Sequence, residues 1–302
     1  MRDNIPRKRQ TLHLGNELIK GRNPQFICVW QKKAVLLQSQ KLNDMKIVII
    51  GAGSVGTNLH HALESKGIHA ELIHGRPLTA KREAPKAEGG VLRGESEAMR
   101  PEIPQADVYI YAIADHALRE VISKVYAPKA LHLHTSGSMP IEVFGEDKPH
   151  AGVLYFFQSF SREVLIEDWS GIPCIIEGRN IDDIAAIYSL AQCLTSRIYE
   201  ANQHDRERLH IAGIFANNYS NLMYRIAAEV LKDTQIPFEA LLPLIDQTAA
   251  KVHSLKPKDA QTGPAKRGDH EVMNHHLEIL KATPYAEVYQ ALAALIEKAH
   301  TH

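Results

Sequence analysis

The chain has 302 residues, 44% of them hydrophobic and 23% charged, a composition able to fill the cores of about two domains. Its 35 Lys and Arg balance 35 Asp and Glu, so no overall basic field draws it to nucleic acid. The three cysteines, Cys28, Cys174 and Cys193, are odd in number and far apart, which excludes a disulfide framework and a CxxC metal site and fits a reducing cytoplasm.

Residues 1–44 carry nine Lys or Arg against three Asp or Glu and read as a basic extension, poorly ordered and without assigned function. "FICVWQKKAVLL" within it is split by Lys32 and Lys33, and no apolar run reaches the roughly 18 residues of a membrane span. Neither a membrane segment nor a signal peptide is expected.

From Met45 strands and helices alternate: "KIVII", the helix-like "VGTNLHHALESKG", "AELIH", "DVYIYAIA", the helix-like "DHALREVISKVY", "ALHLH", "GVLYFF" and "IPCIIEG". Such alternation predicts a parallel α/β sheet. After Gly178 the pattern changes to helical periodicity near 181–196, 205–232, 237–254, 270–280 and 283–299. The expected organisation is therefore the extension 1–44, a parallel α/β domain 45–178 and an all-helical domain 179–302.

"GAGSVG", Gly51-Ala52-Gly53-Ser54-Val55-Gly56, has the GxGxxG spacing directly between a strand and a helix. The first glycine permits the tight turn, the second lets backbone approach a pyrophosphate, and the third lets helix and strand pack closely. The helix N-terminus then offers free N–H groups to phosphates. Where an NAD site carries a carboxylate at the end of its second strand, this chain has His74, Gly75 and Arg76, followed by Lys81 and Arg82. A cation there suits the 2′-phosphate of NADP.

Ligands on such sheets sit at the carboxyl ends of the strands. "AIADHAL" puts Ala114 beside the cofactor and Asp115 at a helix N-cap with its backbone lining the cofactor too. "HLHTSGS" puts Thr135, Ser136, Gly137 and Ser138 past the next strand, where hydroxyls and N–H groups would hold a substrate. His132 and His134 share a face, yet no third ligand stands at useful spacing. "HEVMNHH" places His270 and His275 about 140° apart on a helix, so no metal is expected.

In "HIAGIFANNYSN" the spacing of His210, Asn217 and Asn221 puts them near one line along a helix. His210 is the candidate acid and Asn217 its companion, since an imidazole with an ordinary pKa of about 6.5 can give up a proton at neutral pH. Asn221 is a substrate contact. "QTGPAKRGD" breaks the helical pattern near the C-terminus. Thr262 and Gly263 would offer it hydrogen bonds, Arg267 a bidentate grip on an anion, and Asp269 a cap for the next helix; Lys266 reads as solvated.

"GAGSVG", "HTSGS", "GVLYFFQSFS", "HIAGIFANNYSNLMY" and "QTGPAKRGD", in this order, resemble the bacterial family that joins a Rossmann-like NADP-oxidoreductase domain to a C-terminal domain of unknown function 2520. The resemblance runs from Met45 to about Leu280. It implies an architecture similar to 6-phosphogluconate dehydrogenase, pyrroline-5-carboxylate reductase and ketopantoate reductase: a dinucleotide domain, then a helical one, dimeric through the helices, with substrate between them. The lysine used by the hydroxyacid dehydrogenases of that wider group is missing from the relevant helix, where His210 stands nearest its role.

The expected function is an NADP-dependent reductase or dehydrogenase acting on a small anionic carbonyl, imine or hydroxyacid, with no nucleic acid or membrane partner. A non-catalytic NADP-binding sensor or regulatory module and a deazaflavin-dependent NADP oxidoreductase are the alternatives.

Overall fold

The computed structural model describes residues 44–74 and 103–300; residues 1–43 of the basic extension lie outside them. The chain divides into two compact units, Met1–Gly213 and Ile214–His302.

The first unit is built on a seven-stranded sheet in the order β2-β1-β3-β4-β5-β6-β7. Its strands are β1 (Ile47–Ile50), β2 (Ala70–Ile73), β3 (Val108–Tyr111), β4 (Leu131–His134), β5 (Ala151–Phe156), β6 (Cys174–Gly178) and β7 (Ile198–Glu200). All neighbouring pairs are parallel except β5 and β6. Every position of β1, β3 and β4 is buried, as strands covered on both faces must be.

Successive side chains of a strand point to opposite faces. Ile47 and Ile49 accordingly enter one core with Leu59 and Leu63 of helix α1 (Ser54–Ser65) and Ile187 and Leu190 of helix α3 (Ile181–Gln192). Val48 and Ile50 enter the other, with Leu118 and Val121 of helix α2 (Asp115–Ile122) and Phe144 of the 3₁₀ turn Ile141–Phe144.

The sheet is parallel as expected but for the one antiparallel pair. Residues 157–173 contain no helix, and a parallel return needs a long crossover, whereas an antiparallel one does not. Strand β7 was not expected; it is three residues long and lies at the sheet edge. Residues 179–213 carry helical periodicity, yet they belong to the first unit: α3 lies on the sheet through Ile187 and Leu190, and Asn180 caps it by accepting from the Asp183 N–H at 2.9 Å.

Helix α4 (Gln203–Gly213) ends the first unit. The second unit opens with a π-helical stretch, Ile214–Tyr219, followed by α5 (Ser220–Leu231), the 3₁₀ turn Phe238–Leu241, α6 (Leu242–Lys251), α7 (Pro257–Ala260), α8 (Pro264–Arg267), α9 (His270–Leu280) and α10 (Tyr285–His300). Among the described residues Ala265 and Met273 are its buried apolar side chains. Among the described residues no helix is long and apolar enough to cross a membrane.

Candidate active site

The glycine loop joins β1 to α1. Gly51 has φ +118°, a conformation that L side chains rarely adopt, and its N–H donates to the Ile73 carbonyl at 2.8 Å. A Cβ on Gly56 would lie 1.8 Å from the Gly51 carbonyl oxygen, so helix and loop meet at a distance only glycine permits. Gly53, the N-cap of α1, has no heavy atom within 4 Å of where its Cβ would stand. No acidic residue occupies the first turn of α1, leaving its N–H groups and partial positive charge to an anion.

Strands β3 and β4 end beside this loop. Ala114 is the N-cap of α2 and Asp115 its first residue, so Asp115 is not the cap expected of it. Its carboxylate accepts a hydrogen bond from the Ser136 hydroxyl at 3.0 Å. That hydroxyl also accepts the N–H groups of Ser138 and Met139, at 3.1 and 3.0 Å. Ser136 thus folds the "HTSGS" turn and ties it to α2 while also lining the cleft that runs from the glycine loop to His210.

Beneath the turn, His134 is buried and its Nδ1 accepts the Ser136 N–H at 3.2 Å. Burial, with the Arg206 guanidinium nearby, lowers its pKa to about 3, while the Pro140 carbonyl acts in the opposite sense. His132, also buried, has Nδ1 3.0 Å from the Tyr111 hydroxyl and Nε2 2.9 Å from the Ala127 carbonyl. Those partners fill both its ring nitrogens. Among the described residues no group of three or more His, Cys, Asp or Glu could hold a metal ion.

A cleft of about 370 Å³ runs from Gly53, Ser54 and Val55 past Asp115 and residues 135–138 to Tyr155 and His210. It therefore gathers, within one unit, Gly53, Ser54, Val55, Asp115, Ser136, Gly137 and His210 of the expected site residues. Gly51, Ala52, Gly56 and Ala114 adjoin it in the chain without lining it. The hydroxyl of Tyr155 lies 3.0 Å from His210 Nδ1. Burial pushes the Tyr155 phenol up to about 12, with Arg206 acting the other way.

Three residues that the sequence pattern does not single out complete this arrangement. Tyr155 is one, concealed in the apolar run "GVLYFF". Arg206, one helical turn before His210, is fully buried, pairs with Glu177 and donates to the Met139 carbonyl at 2.6 Å. Asn58 of α1 is fully buried as well: it donates to the carbonyls of Ser54 and Ser161 at 2.9 and 2.6 Å and accepts the Ile166 N–H at 2.9 Å. It thereby holds the segment that brings Gln158 and Phe160 to the cleft.

The remaining expected residues belong to the second unit or lie outside the described residues. Arg76, and Lys81 and Arg82 with it, lie outside the described residues. Asn217 and Asn221 belong to the second unit and are exposed. Their alignment with His210 assumes 3.6 residues per turn, whereas the intervening Ile214–Tyr219 is π-helical and has a wider turn. Thr262, Gly263 and Arg267 are also in the second unit. There "QTGPAKRGD" forms a tight motif: Gly263 at φ +107° leads into α8, left-handed Gly268 ends it, and Asp269 caps α9 by accepting the Val272 N–H at 3.3 Å. Arg267 is exposed on α8. Lys266, expected to be solvated only, donates to the Gln261 carbonyl at 2.7 Å and closes the loop.

Residues 172–296 match the family described as domain of unknown function DUF2520. No curated protein matches the chain. Among solved structures, the "putative NADP oxidoreductase BF3122 from Bacteroides fragilis" is 34% identical, over 85% of this chain and 99% of its own, with a TM-score of 0.71. Protein TM1727 from Thermotoga maritima, at 15% identity, covers 85% of this chain and 100% of its own with a TM-score of 0.64. The reductive aminase from Aspergillus terreus, solved with NADPH and ethyl levulinate, is 16% identical over 84% of this chain and 93% of its own, with a TM-score of 0.58. The last two share the fold. By its sheet, its glycine loop and its identity to the Bacteroides protein along nearly that protein's whole length, the chain belongs to the Rossmann-type NADP-oxidoreductase family that carries the DUF2520 domain.

Proposed function

We propose that the protein is an NADP-dependent oxidoreductase that reduces a small carbonyl or imine compound, or oxidises the corresponding hydroxyacid or amine. The observation that carries this reading is the single cleft joining the open N-terminus of α1 to the hydrogen-bonded pair Tyr155 and His210. The residues present fit a dinucleotide: Gly53 leaves room for a pyrophosphate, and the first turn of α1 offers it unpaired N–H groups without a competing carboxylate. The loop 51–56 would hold the phosphates, with Ala114 and Asp115 alongside. A reduced nicotinamide bound there supplies a hydride.

The chain's own part is to orient the substrate and manage one proton. His210 lines the end of the cleft and is the proposed donor to the substrate heteroatom. Gly137 and the backbone of the "HTSGS" turn shape the cleft beside it. Asn217 as its companion, with Asn221, Thr262, Gly263 and Arg267 as contacts to an anionic substrate, is proposed from sequence alone. NADP in preference to NAD rests on Arg76 and on the activity in the name of the Bacteroides relative.

A homodimer formed through the helical unit belongs to the same reading. It is supported by the large apolar side chains this unit exposes, among them Phe215, Leu244, Ile279 and Leu295, and by an apolar hollow between Met223, Val230, Tyr289 and Leu292. A cytoplasmic location is supported by the free cysteines Cys174 and Cys193.

The test is a turnover screen with NADPH against small ketones, with and without amines, for the wild type and His210→Ala. Turnover of at least one substrate is expected to fall about 10²–10⁴-fold in the variant with NADPH affinity retained. Equal turnover in both proteins would remove His210 from the role.

A further inference from the structure

His210 has two ring nitrogens, and an imidazole that serves a proton to a ligand must present the right one. Its Nδ1 is enclosed. The Tyr155 hydroxyl stands 3.0 Å from it, and Gly137 presses on the same side, so closely that a Cβ there would lie 2.7 Å from Nδ1 and 2.9 Å from Tyr155 Cζ. The phenol ring is itself fixed, with Phe157 edge-on at 6.1 Å and the His210 ring edge-on at 6.1 Å.

Two directions of the hydrogen bond are possible in principle: the phenol donating to a bare Nδ1, or Nδ1–H donating to the phenol oxygen. A partly buried phenol O–H needs an acceptor, and His210 Nδ1 is the partner Tyr155 has among the described residues. A phenol, with an ordinary pKa of about 10, keeps its proton throughout the neutral range and can always donate. The first direction satisfies both groups with one bond; the second leaves the O–H seeking another acceptor.

We infer that Tyr155 is a positioning residue for His210: its hydroxyl donates to Nδ1 of the neutral imidazole and holds it in the Nε2–H tautomer, so that Nε2 is the nitrogen turned to a ligand in the cleft; the acid itself is the imidazolium, whose Nε2 proton passes to the substrate while the Tyr155 oxygen accepts from Nδ1–H. The inference rests on the proposed function for its use and on geometry alone for its truth. It assigns Tyr155 no contact with the reacting atoms. It makes Tyr155 the tautomer selector, as a hydrogen bond on one imidazole nitrogen determines the state of the other.

The test is ¹⁵N NMR of protein labelled at histidine nitrogens, recorded well above the ordinary imidazole pKa of about 6.5, with His210→Gln identifying the His210 signals. The expected wild-type result is a pyridine-type shift at Nδ1 and a pyrrole-type shift at Nε2. In Tyr155→Phe, which keeps the ring and loses the hydroxyl, the two shifts are expected to move toward each other as the tautomers mix. A protonated Nδ1 in the wild type, or an unchanged Nε2–H tautomer in Tyr155→Phe, overturns the inference. If Tyr155→Phe does not fold, the wild-type shifts decide alone. NADPH titration of the same samples separates the two readings: absence of binding sinks the proposed function and leaves the tautomer result standing.

Discussion

Arg206, without exposed surface, forms its ion pair with Glu177 of β6 through Nη1 while Nη2 reaches the Met139 carbonyl just past the "HTSGS" turn. The helix that carries His210 is thereby fixed to the sheet and to the turn at once. A buried charge is tolerable only while its partner remains. Glu177→Gln is therefore expected to lower unfolding stability by about 3 kcal/mol, read as a lower urea midpoint at unchanged slope. The double variant Arg206→Met with Glu177→Leu should lose less than Glu177→Gln alone; a greater loss would mean that the pair contributes through its charge.

The glycines of the loop separate binding from folding. Gly56→Ala sets a methyl group against the Gly51 carbonyl and is expected to cost about 1–3 kcal/mol of stability. Gly53 has φ −81° and open space beside it, so Gly53→Ala should change stability by no more than about 0.5 kcal/mol. It should nonetheless weaken NADPH by about tenfold or more, because its methyl group stands where the phosphates would approach. Thermal melts and NADPH titration of both variants check the contrast, and unaltered NADPH affinity in Gly53→Ala would place the phosphates elsewhere.

Gly137→Ala is expected to part Tyr155 from His210, since the new Cβ would stand 2.7 Å from Nδ1 and 2.9 Å from Tyr155 Cζ. Turnover should fall by about a hundredfold, the scale of a displacement of about 1 Å at a reacting group. The ¹⁵N shifts of His210 should change with it. Retention of both would show that the turn yields more easily than the pair.

His134 makes stability fall in acid. Its folded pKa of about 3 lies below the ordinary value of about 6.5, so between these values the unfolded chain binds a proton that the folded chain does not. The contribution is complete above about pH 6.5 and is lost as pH falls toward 3, at up to about 1.4 kcal/mol per pH unit. His132, whose pKa burial also lowers, acts in the same direction. Urea midpoints measured across this range should drop with pH, and His134→Asn should flatten the slope; an unchanged slope would assign the acid sensitivity to other groups.

Much of the scaffold was legible because it is written in short-range pattern. The apolar runs ending at Ile50, Tyr111 and His134, the GxGxxG spacing and the Asp269 cap all depend on residues within one or two turns of one another. What stayed hidden depends on contacts between distant positions. Tyr155 reads as one more apolar strand residue until β5 is set opposite α4. Arg206, in the polar run "QHDRERLH", reads as a solvated cation until Glu177 is found beside it. The bond from the Ser136 hydroxyl to Asp115, 21 residues away, is likewise invisible until the two strand ends are set side by side. The π-helical stretch at Ile214–Tyr219 alters a line drawn through Asn217 for a related reason: ideal helical spacing cannot report where a backbone widens.

Fluorescence titration of the purified protein with NADPH and, separately, NADH tests the central claim most directly. Saturable NADPH binding is expected, tighter than NADH by roughly 10 to 150-fold, the worth of one charged hydrogen bond of about 1.5–3 kcal/mol from Arg76 to the 2′-phosphate. Arg76→Ala should bring the two affinities together. Binding of neither nucleotide would contradict the oxidoreductase reading and leave a Rossmann fold whose glycine loop serves another ligand.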